Sequence, residues 1–185
     1  MDTCVLLPIT LVDLLLRLAE AKTYRILWSE EILVELERNL ILKIDLEPTS
    51  ARRRINAMRE HFPDALVEDY ESLTGVMTCD EKDRHVLAAA VRANAELLVT
   101  FNLKDFPPAS SKPFEVEVVG PDDFLLDQLD LHRSAVLRCL EQQVAAYQDP
   151  ALTMAECLSH LEQCGLPLFV AAINELTEGA GAGQD

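Results

Sequence analysis

The chain has 185 residues, a formal net charge of −16 at pH 7 and a hydrophobic share of 49%. So acidic a balance argues against a general nucleic-acid binder, because phosphate contacts normally draw on surplus Lys and Arg. It leaves open an enzyme that holds phosphate through metal ions, since such a site needs clustered carboxylates.

Membrane and secretory signals are missing from the sequence pattern. No apolar run reaches the roughly 18 residues that a membrane-spanning helix needs, and no basic segment precedes a hydrophobic one at the start. The 5 cysteines form no CxxC pair, so reduced thiols in a cytoplasmic protein are the simplest interpretation. We expect a cytoplasmic chain without membrane contact.

Helical and strand patterns alternate along residues 1 to 120. Helical spacing of apolar residues is clear in "LVDLLLRLAE" and in "SEEILVELERNLILK", which Ser29 opens as a cap. Such alternation favours an α/β fold, with a parallel sheet covered by helices. The predicted elements are helix 11–20, strand 24–29, helix 30–43, helix 48–61, a short strand at Leu66 and Val67, helix 80–93, strand 95–100 and strand 115–120.

The character of the chain changes after Gly120-Pro121. Residues 121–178 hold no β-rich segment and predict a C-terminal extension of three or four helices, interrupted at Asp149-Pro150 and near Gly165. The segment "LPLFVAAINEL" is apolar on nearly all sides and is predicted to be buried. Residues 179–185 read as a disordered tail.

The stretch "CDEKDRHVLAAAV" carries two acids with two possible roles. Asp80 fits a helix cap, and Asp83 lies in the first turn, where negative charge favours the helix dipole. The same acids could also be metal ligands. On this stretch alone the cap is the simpler interpretation.

Five polar side chains fall where helices begin and strands end. Ligands of open parallel sheets bind beyond the carboxyl ends of the strands, so these residues could converge on one edge. Each one alone has an ordinary explanation, such as an exposed helix residue or a turn former, and the case rests on the set. Hard cations such as Mg²⁺ and Mn²⁺ favour such oxygen ligands. The set is Asp2, Glu35, Asp83, Asn102 and Asp105.

Four segments of residues 1–120 together resemble the PIN-domain ribonucleases, and most closely the VapC-type toxins of prokaryotic toxin–antitoxin pairs. These segments are "DTCVLLP", "SEEILVELERNL", "DEKDRHVLAAAV" and "LLVTFNLKDFP", in this order. The resemblance implies a three-layer α/β/α sandwich with a parallel central sheet. It also implies a first PIN-like domain at 1–120, followed by the helical extension.

The resemblance further implies a metal-dependent endoribonuclease that cleaves RNA such as tRNA. Its acids would be Asp2, Glu35 and Asp83, with Asn102 at the fourth position and Asp105 one turn on, together binding Mg²⁺ or Mn²⁺. Expected partners are a cognate antitoxin and a second copy in a homodimer. The alternative is a catalytically weak or inactive PIN-like interaction module.

Two features depart from the family pattern. The family has a full strand before its first acid, whereas only Met1 precedes Asp2 here. We expect either that "CVLLP" supplies a stub of strand or that the coding start lies upstream. Asn102 also lacks the charge of the usual fourth acid, so Asp105 is expected to compensate.

Overall fold

A computed structural model describes residues 1–181 of the chain. In chain order the elements are α1 (Thr3–Leu6), α2 (Ile9–Glu20), β1 (Trp28–Ser29), α3 (Glu30–Ile44), α4 (Pro48–His61), β2 (Leu66–Val67), α5 (Glu71–Thr74), α6 (Arg84–Arg92), β3 (Leu97–Val99), α7 (Pro108–Ser111), β4 (Glu117–Val119), α8 (Pro121–Ala146), α9 (Met154–Gln163) and α10 (Pro167–Gly181), with 3-10 turns at Pro63–Ala65, Glu81–Asp83, Leu103–Asp105 and Lys112–Phe114.

Contacts between residues divide the chain into two compact units. The first unit comprises Met1–Leu7 and Arg25–Gly120, and the second comprises Pro8–Tyr24 and Pro121–Asp185. The end of the first unit coincides with the domain boundary expected at residue 120. Helix α2, which the sequence assigned to the first domain, packs with α8 and α9 in the second unit.

The strands of the first unit form two parallel pairs. Strand β1 pairs with β2, and β3 pairs with β4, with Leu98 opposite Val118. The predicted parallel arrangement is confirmed. The strands are shorter than the apolar runs that predicted them, because each run continues into a loop or helix cap.

The predicted strand stub at "CVLLP" is wrong, because Thr3–Leu6 form helix α1. Met1 and Asp2, which precede this helix, bond to the backbone of other segments as strand residues do. The Met1 nitrogen donates to the Leu27 carbonyl at 2.9 Å, and the Asp2 N–H donates to the Val99 carbonyl at 3.1 Å. Asp2 is extended and occupies the N-cap position of α1, so the backbone turns away from the sheet at that residue.

Local signals explain how the long helices of the first unit begin. The Ser29 hydroxyl accepts the Ile32 N–H, which satisfies one of the free donors at the start of α3. Pro48 occupies the first turn of α4, where its missing N–H is not needed. The buried face of α3 includes Leu33 and Leu36, and each such side chain contributes about 2 kcal/mol of hydrophobic stabilisation.

The second unit is helical, and its extension contains three helices, α8, α9 and α10, as predicted. Helix α8 is kinked at His132. Asp122 accepts the backbone N–H groups of Leu168 and Phe169, at 3.0 and 2.8 Å, and so caps α10. The ring of Tyr24 meets the ring of Phe124 edge-on, with centroids 5.0 Å apart.

The predicted burial of "LPLFVAAINEL" is wrong on one side of the helix. Phe169 and Ile173 are buried, but Leu168 is 57% exposed. Only one face of α10 contacts its neighbours, because α8 and α9 lie against that face. Helix α10 extends to Gly181 and so includes the first three residues of the predicted tail, while residues 182–185 lie outside the described part. Within residues 1–181, no helix combines the length and apolarity needed to cross a membrane.

Candidate metal centre

The turn before α6 fixes Asp83 through Asp80. The Asp80 side chain accepts the Lys82 N–H at 3.2 Å, and the Asp80 carbonyl accepts the Asp83 N–H at 3.0 Å. Asp80 is therefore the cap that the sequence predicted. The tight turn directs the Asp83 side chain inward, and the residue is only 8% exposed.

The Asp83 carboxylate is short of partners. Its Oδ2 atom is buried and accepts no hydrogen bond. Burial raises the pKa of Asp83 to about 6, the Lys82 ammonium opposes this shift, and the charges of Asp2, Asp105 and Asp80 reinforce it. A buried carboxylate without hydrogen bonds is costly, and a bound cation would supply the missing partner.

Asp2 is anchored to the end of β3. Its Oδ2 atom accepts the Thr100 hydroxyl at 2.6 Å and the Cys4 thiol at 3.0 Å. Burial, followed by the charge of Asp2, raises the pKa of Cys4 to about 12, so the thiol keeps its proton and can donate. The Thr100 oxygen in turn accepts the Asn102 N–H at 2.9 Å.

Glu35 projects from the second turn of α3 and is held by α1. Its Oε2 atom accepts the Thr3 hydroxyl at 2.9 Å, and its Oε1 atom accepts the Asn39 amide at 3.5 Å. The buried His85 places Nε2 4.0 Å from Glu35 Oε2, and this ring nitrogen makes no hydrogen bond. Side chains on α1, α3 and α6 therefore restrict the position of the Glu35 carboxylate.

Asp105 reaches the same region from the turn after β3. Its Oδ2 atom lies 3.1 Å from the Lys82 ammonium, which also lies 3.7 Å from Asp83 Oδ2. The Asp105 carbonyl accepts the Asp80 N–H at 3.0 Å, so the two turns are joined by backbone as well. Lys82 therefore links two of the predicted acids.

The structure places the five predicted site residues in one unit, with different degrees of contact. The charges of Asp2 and Asp105 both act on Asp83. Glu35 joins through Thr3, and Asn102 is linked through its backbone N–H rather than its amide. Within residues 1–181, no group of three or more His, Cys, Asp and Glu side chains has ready-made metal-binding geometry.

A hard divalent cation nevertheless fits the donors that are present. Asp83 Oδ2 accepts no hydrogen bond, and the charges of Asp2, Asp105 and Asp80 act on it. Mg²⁺ binds through one or two carboxylates while keeping several waters, and Mn²⁺ favours the same oxygen ligands. Such an ion does not require a closed cage of protein ligands. We take the buried Asp83 oxygen as the observation that supports a cation here.

Sequence reasoning missed several side chains that hold the acids in place. Thr3 and Cys4 are adjacent to the first acid, and Asn39 is four residues after Glu35, so their positions carried a local signal. Lys82 directly precedes Asp83, but only the tertiary fold brings it beside Asp105 and brings His85 beside Glu35. The missed residues are Thr3, Cys4, Asn39, Lys82 and His85.

Comparison with known proteins gives the family of the chain. A family model described as a PIN domain matches residues 1–104, which is more than half of the chain. The chain belongs to the PIN-domain family. The α/β fold expected from the resemblance is thereby confirmed. A second family model, described as the VapC50 C-terminal domain, matches residues 121–175, which follow the PIN domain.

One curated relative of this PIN-domain chain comes from Mycobacterium tuberculosis (strain ATCC 25618 / H37Rv) and is named "Putative ribonuclease VapC50". The two sequences are 46% identical over 107 residues, which is 58% of this chain and 63% of the relative. The matched part therefore spans less than two thirds of the relative's length. No solved structure matches the chain significantly.

Proposed function

We propose that this PIN-domain chain is a metal-dependent endoribonuclease and the toxin of a VapBC-type toxin–antitoxin pair. The observation that carries the proposal is the buried Oδ2 atom of Asp83, which accepts no hydrogen bond and feels the negative charges of Asp2 and Asp105. The name of the relative, a ribonuclease, supports the same reaction class. The free cysteines fit a cytoplasmic site of action.

We assign the binding of Mg²⁺ or Mn²⁺ to Asp2, Asp83 and Asp105, with Glu35 and Asn102 completing the surroundings. When bound, such an ion supplies the Lewis acidity that activates water and stabilises the leaving oxygen of a phosphodiester. The ligand carboxylates need fixed orientations for this. Thr100 and Cys4 provide the orientation of Asp2, because both donate to the same carboxylate oxygen.

Glu35 is the residue that we assign to proton transfer. Its carboxylate is a third exposed to solvent and is restrained by hydrogen bonds from Thr3 and Asn39. A general base must be held within reach of the proton that it takes, so this restraint matters more than the strength of either bond. Thr3 and Asn39 are therefore positioning residues.

The substrate that we propose is a structured RNA such as tRNA. An acidic chain needs local positive charge to approach it. Of the four Arg residues that could form a basic rim, Arg52 pairs with Glu37, and Arg54 donates to the Leu6 and Leu7 carbonyls. Arg38 and Arg53 are exposed and could contact phosphate.

The first test is calorimetric titration of Mn²⁺ into the wild-type chain and into Asp83→Asn, followed by cleavage of a mixed tRNA pool. We expect the substitution to abolish both binding and cleavage while the fold survives. Asp64→Asn is the matched control, because it removes the same charge from an exposed position in the same unit. Equal Mn²⁺ binding by wild type and Asp83→Asn would return Asp83 to a purely structural role.

We also propose two protein partners, a second copy of the chain and a small antitoxin. The acidic surface suits an antitoxin tail that offers Arg or Lys to the carboxylates and apolar residues to a groove. Helix α3 carries a shallow groove of about 390 Å³, which could take such residues. Its lining is Val34, Glu37, Arg38, Ile41 and Leu42.

Native mass spectrometry after co-expression with the neighbouring gene tests both partners. We expect a complex that contains two copies of the chain and retains the antitoxin. Replacing Val34 and Leu42 by Asp should release the antitoxin. A free monomer with no retained partner would contradict both assignments.

A second candidate function is an inactive PIN-like interaction module. The observation that favours it is the Lys82 ammonium, which already partly neutralises Asp83 and Asp105. The two candidates differ in the result with RNA. A module would retain its protein partner but leave the tRNA pool intact at saturating Mn²⁺, whereas the endoribonuclease would cleave it.

A further inference from the structure

Lys82 contacts two of the five candidate site residues, although neither the family resemblance nor the proposed mechanism uses it. Its ammonium is 3.1 Å from Asp105 Oδ2 and 3.7 Å from Asp83 Oδ2. The contact with Asp105 is a hydrogen bond, and the contact with Asp83 is longer. A single positive charge of the chain itself thus joins the two carboxylates.

The two contacts leave the site incompletely neutralised. Asp83 Oδ2 accepts no hydrogen bond even though the ammonium is near. One monovalent charge faces Asp83 and Asp105, with Asp2 and Asp80 also acting on Asp83. A divalent ion held by Asp83 and Asp105 would occupy the region of the ammonium, and two cations so close would repel each other strongly.

The Lys82 side chain can leave without disturbing the fold. Its backbone is fixed by the Asp80 cap, but the side chain is 65% exposed and reaches the acids on a flexible stem. Rotation of this stem carries the ammonium into water. The backbone of both acids stays fixed, because the Asp80 N–H donates to the Asp105 carbonyl and the Asp83 N–H donates to the Asp80 carbonyl.

We propose that Lys82 is a built-in counter-ion that occupies the metal centre and exchanges places with the divalent cation. The ammonium partly neutralises Asp83 and Asp105 until the ion arrives, and metal binding then displaces it. The inference rests on the proposed metal-dependent function and adds a residue that sets metal affinity. Lys82 is a positioning residue in this scheme.

The experiment is calorimetric Mn²⁺ titration of the full chain as wild type, Lys82→Met, Lys82→Arg and Lys104→Met. Removal of the competing ammonium should tighten Mn²⁺ binding by about three- to tenfold in Lys82→Met. Lys82→Arg keeps a cation at the same place and should stay near wild type. Lys104→Met changes net charge equally, from an exposed residue beside Asp105, and reports the long-range part of the effect.

A second readout does not depend on affinity. Acetylation of Lys82 by a water-soluble acylating reagent, followed by peptide mass spectrometry, measures how free the amine is. Saturating Mn²⁺ should raise the rate of modification of Lys82 at least about twofold, because an amine that no longer bonds to Asp105 is more accessible to the reagent. The rate at Lys104 in the same peptide digest serves as the internal reference.

The outcomes separate this inference from the proposed function. Equal Kd values for Lys82→Met and Lys104→Met, or weaker binding by Lys82→Met, would overturn the exchange, while loss of binding in Asp83→Asn would still support the metal centre. Binding by Lys82→Met alone, with none by wild type, would be the extreme form of the expected result. Absence of Mn²⁺ binding in every variant would overturn both.

Discussion

The two units bury different kinds of polar residue. In the part of the chain that the structure describes, the buried acidic and histidine side chains all belong to the first unit, namely Asp2, Asp83 and His85. The buried polar side chains of the second unit are the neutral Thr10, Gln128 and Gln143. Burying a charge costs free energy unless it is paired, so proteins retain buried charges mainly where function uses them.

In an acidic chain, the burial of a carboxylate indicates a functional site better than the number of acids does. Acids of the second unit such as Asp123 and Asp127 lie on the surface, and Asp122 caps a helix. These acids add to the net negative charge, and Asp122 also stabilises the start of α10. In the first unit, the buried Oδ2 atom of Asp83, which accepts no hydrogen bond, indicates the candidate site.

The largest expected effect tests whether the site is independent of the second unit's core. Phe169 is fully buried there, so Phe169→Ala should reduce the free energy of unfolding by about 3–5 kcal/mol. Mn²⁺ affinity measured below the unfolding transition should not change. Chemical denaturation and calorimetry give the two quantities, with Phe169→Leu as the milder control. A loss of Mn²⁺ affinity in Phe169→Ala would show that the metal site depends on the core of the second unit.

A smaller effect is expected at the support of Asp2. Thr100→Val keeps the side-chain volume and removes the hydroxyl that donates to Asp2. Loss of a hydrogen bond to a metal-ligating carboxylate weakens metal binding by about 10- to 100-fold. Mn²⁺ titration measures the change, and Thr100→Ser should restore most of the affinity. Unchanged binding in Thr100→Val would show that Asp2 needs no such support.

Asp83→Asn should stabilise the metal-free chain at neutral pH. The pKa of Asp83 is raised to about 6, so the stability it contributes is complete below about pH 4 and is lost as pH rises through 6. The uncharged Asn avoids this loss. We expect a gain of about 1–2 kcal/mol at pH 8, less than the full pKa shift implies because the side chain keeps some contact with water.

Urea denaturation in the presence of a chelator, repeated at pH 4 and pH 8, measures this gain. The difference between Asp83→Asn and wild type should vanish at pH 4. Asp64→Asn should show no comparable dependence, because Asp64 is exposed. A mutant that is less stable than wild type at pH 8 would mean that the Asp83 charge is well paired without metal.

The smallest effect concerns the structural acid of the second unit. Asp122→Ala removes the acceptor of two N–H groups at the start of α10 and should cost about 1 kcal/mol. Asp122→Ala should therefore lower the free energy of unfolding, whereas Asp83→Asn should raise it at pH 8. Asp123→Ala, at the exposed neighbour, is the control in the same denaturation experiment.

Local signals predicted much of the fold. The start and end of α4, from Pro48 to His61, agree with the sequence pattern, because the first-turn proline is a local feature. The Ser29 and Asp80 caps were also predicted, since a cap bonds to residues only two or three positions away. The five candidate site residues were proposed from position alone, and their catalytic roles stay predictions.

The sequence-based predictions were wrong where contacts with distant segments determine the local structure or the burial. "CVLLP" is as apolar as a strand, yet it forms α1, because the backbone leaves the sheet at Asp2. Leu168 is exposed although its helix is apolar on most sides, because α8 and α9 cover only one face. In both cases the apolar residues suit a strand or a buried position, but the neighbouring segments determine which structure and exposure they adopt.

The sequence by itself determined the α/β class, the helical C-terminal part and the acids worth testing, since periodicity and capping act over a few residues. The tertiary structure alone leaves Asp83 Oδ2 without a hydrogen bond, places His85 beside Glu35 and brings the Lys82 ammonium between Asp83 and Asp105. The bond from Lys82 to Asp105 joins residues 23 positions apart, and no local pattern encodes such a contact.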